Sequence, residues 1–522
     1  KKMFNFKKNY FYYFLTIFFI IGIIASFQSG ISHDEWHEQN NWDFNKRVIN
    51  NFIDGKNSTS NFLDRYYGIG FQYVSQPIQT LIVRFTSGYS KISIDGLQYV
   101  SKHPIIFIFY IISGLFFYNF LRVIVKNKNF AFFGTIFYYL FPYLLGHSFI
   151  NPKDIPFLTI WLACSYYSCR VLSSYISKRN IHIKKIIVLS ALTAFLISIR
   201  ISGILIFLQY LITFFIMISC VKLSFKEFLY LTKNLFIFGL SNIFFIIILY
   251  PVFWSNPLEL INAIKFMSNH HNDVCTLTLG KCMKSKNLDS MYLLIWLLFK
   301  MPIIILLGLS LIPFTEKKIF SNNVNKIFFG TIFLSPLMII FILIFREVPL
   351  YDELRQVLFL VPMLILVGLI SIYYMFKNKS FYILSFFIIF FTVENVRMYP
   401  YQYTWFNLPV RIVDLGKNFE LDYWGISGKN IATKINELNI KKETCIIVSP
   451  RHSTEPFLDK KYKCFKSWSS IDSDIKRPFF AVQIGRNLKN STGYQCKIIH
   501  QELSNLIFYK KKLVVGNLLK CS

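Results

Sequence analysis

The residues best suited to chemistry come early in the chain. Ile31-Ser32-His33-Asp34-Glu35-Trp36-His37-Glu38 follows directly on a hydrophobic run near residues 10–28. Two adjacent carboxylates flanked by two imidazoles are costly to hold beside hydrocarbon and add nothing to anchoring, so they mark the mouth of an active site. A carboxylate facing outward at a membrane surface can act as a general base toward a hydroxyl or amine, or can ligate a divalent cation. Adjacent side chains in a loop diverge, so Asp34 and Glu35 need not share one task. Read alone, His33 and His37 are solvated imidazoles. Lys153, Arg200 and Arg355 fall at the expected outer ends of apolar runs, at headgroup depth. There they can stabilise an anionic leaving group or simply snorkel to the interface. Asp154 can pair with one of these cations or serve as a second acidic site residue.

The elements that must position these groups are membrane helices. Of 522 residues 54% are hydrophobic and 19% aromatic, and the mean hydropathy is +0.43. That exceeds the roughly 45–50% apolar content of a soluble domain. The net charge of +30 raises nucleic acid as a partner. Lys and Arg are instead dispersed in short groups between apolar runs, the pattern of a multispanning protein, and no nucleic-acid partner is expected.

Runs long enough for a bilayer of about 30 Å lie near residues 10–28, 104–125, 130–148, 155–174, 186–199, 201–221, 228–250, 291–313, 326–345, 355–375 and 380–396. Lys1, Lys2, Lys7 and Lys8 put the amino terminus on the cytoplasmic side. Alternate threading of the eleven runs then places Arg122/Lys126/Lys128, Lys178/Arg179/Lys184/Lys185, Lys222/Lys226/Lys233, Lys317/Lys318/Lys326 and Lys377/Lys379 inside. Every inner loop is basic. The first run has a poor cleavage site at Ala25-Ser26-Phe27-Gln28 and is expected to stay as an anchor.

Residues 1–396 are thus expected to form a transmembrane catalytic domain with outer loops 29–103 and 251–290, and 397–522 a small extracytoplasmic α/β domain. Residues 77–101 and Pro257–Ser268 suit interfacial helices roofing the site. In the C-terminal part, strands are expected at Cys445–Ser449, Phe479–Ile484 and Lys511–Val515, with a helix capped by Ser427 and running to about Leu438. Cys164, Cys169 and Cys220 read as thiols inside spans. Cys275 and Cys282 can bridge, Cys445, Cys464, Cys496 and Cys521 can form up to two pairs, and the spacings match no zinc pattern.

Asp34-Glu35-Trp36-His37 resembles the Asp-Glu-x-His pattern that opens the first outer loop of polyprenyl-phosphate-sugar-dependent glycosyltransferases of the GT-C superfamily. The group concerned is the one related to protein O-mannosyltransferases, glycosyltransferase family 39. Four later segments are also similar to that family, in order: Tyr66-Tyr67-Gly68-Ile69-Gly70-Phe71, the stretch from Gly146 to Phe157, Leu350-Tyr351-Asp352-Glu353-Leu354-Arg355, and Glu420-Leu421-Asp422-Tyr423-Trp424-Gly425. Together they sample the chain from residue 31 to about 430.

The resemblance implies an α-helical multispanning fold of GT-C type in the bacterial inner membrane. It also implies inverting transfer of a sugar from a polyprenyl-phosphate donor to a protein, lipid or glycan acceptor on the extracytoplasmic face. By resemblance Asp34 would be the base and Glu35 would position the acceptor or support Asp34. His37, Lys153, Asp154, Arg200 and Arg355 form the expected substrate-binding set, its cations meeting the lipid phosphate. No cofactor is expected; a divalent metal is not favoured, because this branch is thought not to need one.

The sequence departs from the family in the polar run Glu38-Gln39-Asn40-Asn41-Trp42 and in lacking a β-trefoil domain, which leaves the acceptor open. The rival readings are a transporter or flippase of a lipid-linked or ionic solute, and a non-catalytic envelope scaffold. Transporters place ionisable groups near the midplane and commonly show repeats, whereas here they gather at one face without an evident repeat.

Overall fold

The computed structural model describes residues 8–522 apart from 57–61, 63, 91, 270–272, 439, 469–474, 476 and 490–492. Lys1, Lys2, Lys7 and Lys91 lie outside the described residues.

Each apolar run is helical, as a lipid environment demands of a backbone that must satisfy its own amides. Among the described residues seven stretches are long and apolar enough to cross a membrane: Tyr10–Gln28, Ile94–Val125, Asp154–Lys178, Ile201–Ser219, Phe225–Leu249, Asn323–Phe345 and Arg355–Met398. The number becomes eight if a bent pair is counted. The chain is therefore a helical protein of membrane character.

The remaining runs are shorter or broken, each for a local reason. Pro142 opens a new helix where Lys128–Leu140 ends, because it has no N–H to continue the ladder. Arg200 is extended (φ −148°, ψ 129°) and separates Ile183–Ile199 from the turn at Ile201–Leu205, so the split read there from sequence is real. The run expected as one span over 291–313 is not straight. Tyr292–Lys300 and Ile303–Ser310 meet at 113°. Pro302 drives Met301 into extended geometry (φ −78°, ψ 139°) and the helix stops.

The stretches expected as outer loops, 29–103 and 251–290, are mostly regular structure. His33–Ile53, Gly70–Thr86, Ile94–Val100 and Glu259–Asn269 are helices. Cys275–Thr278 and Lys281–Lys284 pair as a hairpin bridged by Cys275–Cys282.

The C-terminal region carries a five-stranded sheet in the spatial order Phe465–Lys466, Ile446–Val448, Phe479–Ile484, Leu513–Cys521, Cys496–Ser504. The first two pairings are parallel and the last two antiparallel. Phe479–Ile484 lies where the sequence puts it; Leu513–Cys521 begins two residues later than expected and is longer. Phe465–Lys466 and Cys496–Ser504 carry too little apolar alternation to be seen in advance. Cys445–Cys464 and Cys496–Cys521 bridge neighbouring strands.

The expected helix runs Gly428–Glu437, but Ser427 does not cap it with its side chain. Its hydroxyl donates instead to Asp422 Oδ2 at 2.6 Å. Glu394 on the last membrane helix and Arg411 form a buried double hydrogen bond (2.9 and 2.8 Å), and the Ile507 amide donates to Glu394 at 2.7 Å. The sheet is thereby tied to the helical body.

A candidate active site built as an ion network at the helix ends

Ser32 starts the His33–Ile53 helix with a capping box: the Ser32 amide donates to Glu35 Oε1 at 2.9 Å. Gly30 just before it faces the Ile426 carbonyl, which a side chain would strike at 2.1 Å. The close approach lets the His33 amide donate to the Trp424 carbonyl at 3.0 Å. The Asp-Glu pair thus sits on the first turn of a helix clamped between the first span and the C-terminal segment, and not in a loop.

The helix sends its two carboxylates different ways. Glu35 is fully buried, and its Oε1 also meets His103 Nε2 at 3.0 Å, while His103 Nδ1 faces the Ser26 carbonyl at 3.0 Å. Burial opposes ionisation of Glu35, yet the His103 ring, the Ser32 amide and Lys102 hold its pKa below the usual carboxylate range. Asp34 keeps 18% side-chain exposure and accepts a hydrogen bond from the Arg355 guanidinium. Glu35 secures the helix start, and Asp34 is the more accessible carboxylate of the pair.

Arg355 joins the site's carboxylates. Beyond Asp34, its Nε donates to Asp154 Oδ2 at 3.1 Å and its Nη1 to Asp352 Oδ2 at 3.0 Å. Its guanidinium carbon lies 4.3 Å from the centre of the Trp424 ring. Such a fork suits a planar, multi-acceptor partner in a way a lysine ammonium does not. Asp154, at the start of Asp154–Lys178, is also bound by Arg200, and Asp352 by Arg486 from the C-terminal domain. Lys153 donates to Glu38 Oε1 at 2.7 Å and lies 4.5 Å over the Tyr67 ring. Burial would raise Glu38, but Lys153, Lys102 and the Gln72 amide (2.5 Å) hold it below the usual carboxylate range.

Local backbone devices fix these groups. Asn151 Oδ1 accepts from the Lys153 and Asp154 amides (3.2 and 2.9 Å), and its Nδ2 donates to Asp154 Oδ2 at 3.0 Å. Asp352 and Glu353 are both left-handed (φ 57° and 63°), a conformation costing about 1 kcal/mol or more per non-glycine residue. Thr276 and Tyr292 hydroxyls take their amides at 3.1 and 3.0 Å, and the Glu353 carboxylate lies 2.9 Å from Lys300. Burial pushes Glu353 up to about 7 against the pull of Lys300. Asp422, 2% exposed, gathers the amides of Gly425, Ile426 and Ser427 and the Tyr403 hydroxyl, which shapes the turn that presents Trp424.

The structure therefore brings together Asp34, Glu35, Lys153, Asp154, Arg200 and Arg355, from segments up to 321 positions apart. His37 stands at the edge, exposed, its ring 5.3 Å from His33 and 4.9 Å from Trp36. Partial desolvation of the ring by its neighbours lowers its pKa despite Asp64 and Glu38.

Sequence reasoning missed Glu38, Lys102, His103, Asp352, Trp424 and Arg486 as site members. Asp352 and Trp424 stood inside quoted segments, and Glu38 stood in the run read as a departure. Lys102 is fully buried, and its ammonium has no hydrogen-bond partner among the described residues while its charge faces Glu38 and Glu35. Asp34, Glu35, Glu38, Asp154 and Asp352 are matched by Lys102, Lys153, Arg200, Arg355 and Arg486. The network is close to neutral in a strongly basic chain. Among the described residues no three His, Cys, Asp or Glu side chains are grouped to hold a metal ion.

No family model and no curated protein matches this chain. What the site does must be argued from its chemistry.

Proposed function

We propose that the protein is an integral-membrane glycosyltransferase of about eleven spans, as its resemblance to the GT-C enzymes of family 39 implies. It transfers a sugar, with inversion, from a polyprenyl-phosphate donor to a protein, lipid or glycan acceptor on the outer face of the bacterial cytoplasmic membrane. The observation that carries this reading is Arg355: one guanidinium holds Asp34, Asp154 and Asp352 together beside Arg200 and Lys153.

The chemistry of an inverting transfer fits those groups. The acceptor oxygen attacks the anomeric carbon and gives its proton to Asp34, while the bond from that carbon to the phosphate oxygen breaks. The lipid phosphate leaves with the electron pair and meets Arg355, Arg200 and Lys153. General-base assistance of this kind contributes about 10²–10⁴ in rate, and cations fixed where charge develops add a comparable factor.

Arg355 occupies the Asp34 carboxylate. A donor phosphate competes for the Arg355 fork, so donor binding releases the Asp34 carboxylate toward the acceptor. Arg355 keeps an anionic partner through the exchange, and the carboxylate set free is the partly exposed Asp34.

The test is transfer from radiolabelled polyprenyl-phosphate hexoses and pentoses to an envelope extract by the purified protein in nanodiscs. Transfer supports the reading. Donor binding without transfer to any extract component, together with transbilayer movement of the lipid, would replace it with a flippase.

A further inference from the structure

A cavity of about 700 Å³ opens beside the ion network, between the first turns of His33–Ile53, the Ile94–Val100 helix and residues 448–467 of the C-terminal domain. We propose that this cavity is the acceptor site of the transferase reading, on which the inference rests, and that it takes an uncharged, hydroxyl-bearing saccharide.

Position comes first. His33, Trp36 and His37 line the cavity because residues spaced by three and four share a helix face, and Asp34 lies about 100° around the axis from His33. An acceptor seated there reaches the edge of the helix that carries the base. The volume falls within the roughly 300–1,000 Å³ of small-ligand sites.

The walls then select the chemistry. Trp36 is 43% exposed, an unusual state for an indole, and lies parallel to the His452 ring (11° between planes, centroids 6.2 Å apart). Flat rings with one open face suit the C–H face of a sugar. Two buried polar atoms of the lining residues, the Tyr462 hydroxyl and His33 Nδ1, have no hydrogen-bond partner among the described residues.

Charge excludes the alternatives. The lining holds three carboxylates, Asp95, Glu455 and Asp459, against Arg451 and Lys460, and Arg451 is already engaged by Glu455 (2.9 and 3.0 Å). Asp459 lies 3.6 Å from Lys461, which leaves exposed Asp95 as the carboxylate that can accept from sugar hydroxyls and would repel a phosphorylated headgroup placed against it. The sheet edge bordering the cavity, Phe465–Lys466, is only two residues long and gives a peptide little to pair with.

The experiment uses the full-length protein in nanodiscs and titrates cellotriose, chitotriose, maltotriose and mannotriose, a phosphorylated trisaccharide and a Ser/Thr-containing peptide. Tryptophan fluorescence and calorimetry provide the readouts. Polyprenyl-phosphate binding is measured on the same sample. The expected result is binding of at least one neutral trisaccharide, weakened tenfold or more in Trp36→Ala and in Asp95→Asn, with polyprenyl-phosphate binding unchanged in both variants. Binding of the phosphorylated sugar or the peptide instead, or neutral-sugar binding indifferent to both substitutions, overturns the assignment. Donor binding with no neutral sugar bound overturns it while leaving the transferase reading intact. Sugar binding without donor binding removes the transferase reading and with it the acceptor role, and leaves the cavity as a saccharide site only.

Discussion

The Arg355 guanidinium donates to the Asp34 carboxylate across 321 positions of sequence, and the same side chain holds Asp154 and Asp352. It is the joint between the His33–Ile53 helix, the fourth apolar run and the segment leading into the Arg355–Met398 stretch.

Replacing that joint is expected to separate folding from chemistry. Arg355→Ala leaves three carboxylates short of a partner and should cost roughly 3–5 kcal/mol, reducing the yield of folded protein. Arg355→Lys keeps the charge but loses the fork, so it should fold while transfer falls by about 10² or more. Size-exclusion profiles and initial rates of the two variants check this.

Glu35 is predicted to matter as a positioning residue. Glu35→Ala removes the capping acceptor and the His103 partner, a loss of roughly 1–3 kcal/mol. Glu35→Gln retains an oxygen for the Ser32 amide and should recover much of the activity. Thermal stability and transfer rate of both variants test the distinction; activity as low in the glutamine variant as in Asp34→Asn would make Glu35 a direct participant.

Acid is expected to loosen the contact between the His33–Ile53 helix and the C-terminal domain. Burial, reinforced by His452 and His37, lowers His33 from 6.5 to about 3, and burial lowers His452 to about 4. Both are depressed, so their contribution is full above pH 6.5 and is lost as pH falls toward 4 and 3, where the unfolded chain takes up protons that the folded one does not. From pH 7 to 5 this amounts to roughly 2 kcal/mol per histidine. Protection factors over residues 446–458, which remove the slower intrinsic exchange in acid, should fall at pH 5, and His452→Gln should reduce the pH response.

Topology is open to direct measurement. A reporter active only outside the cytoplasm should be inactive when fused after Lys318 and active when fused after Gly416. The opposite pattern would break the eleven-span threading.

The helical class, the break at Arg200 and the strand Phe479–Ile484 were legible because apolar density and backbone-breaking residues act locally. The bend at Pro302 was not, since one proline inside an apolar run reads as either a kink or a stop, and only the packing around it decides. Of the residues the network joins, Asp34, Lys153, Asp154 and Arg355 stood in motif-like segments and were singled out, whereas Asp352 and Trp424 stood in such segments and were not. Glu38 and Arg486 were not: their partners Lys153 and Asp352 lie 115 and 134 positions away, and a single sequence carries no trace of a long-range ion pair. Lys102 and His103 look like ordinary basic residues at the mouth of a span until burial shows what they face.

The central claim, that Asp34 takes the acceptor proton, is tested most directly by comparing wild type with Asp34→Asn for sugar transfer from a radiolabelled polyprenyl-phosphate donor, with donor binding measured in parallel. The account predicts donor binding within about twofold of wild type and transfer reduced by about 10²–10⁴. Undiminished transfer in Asp34→Asn would contradict it.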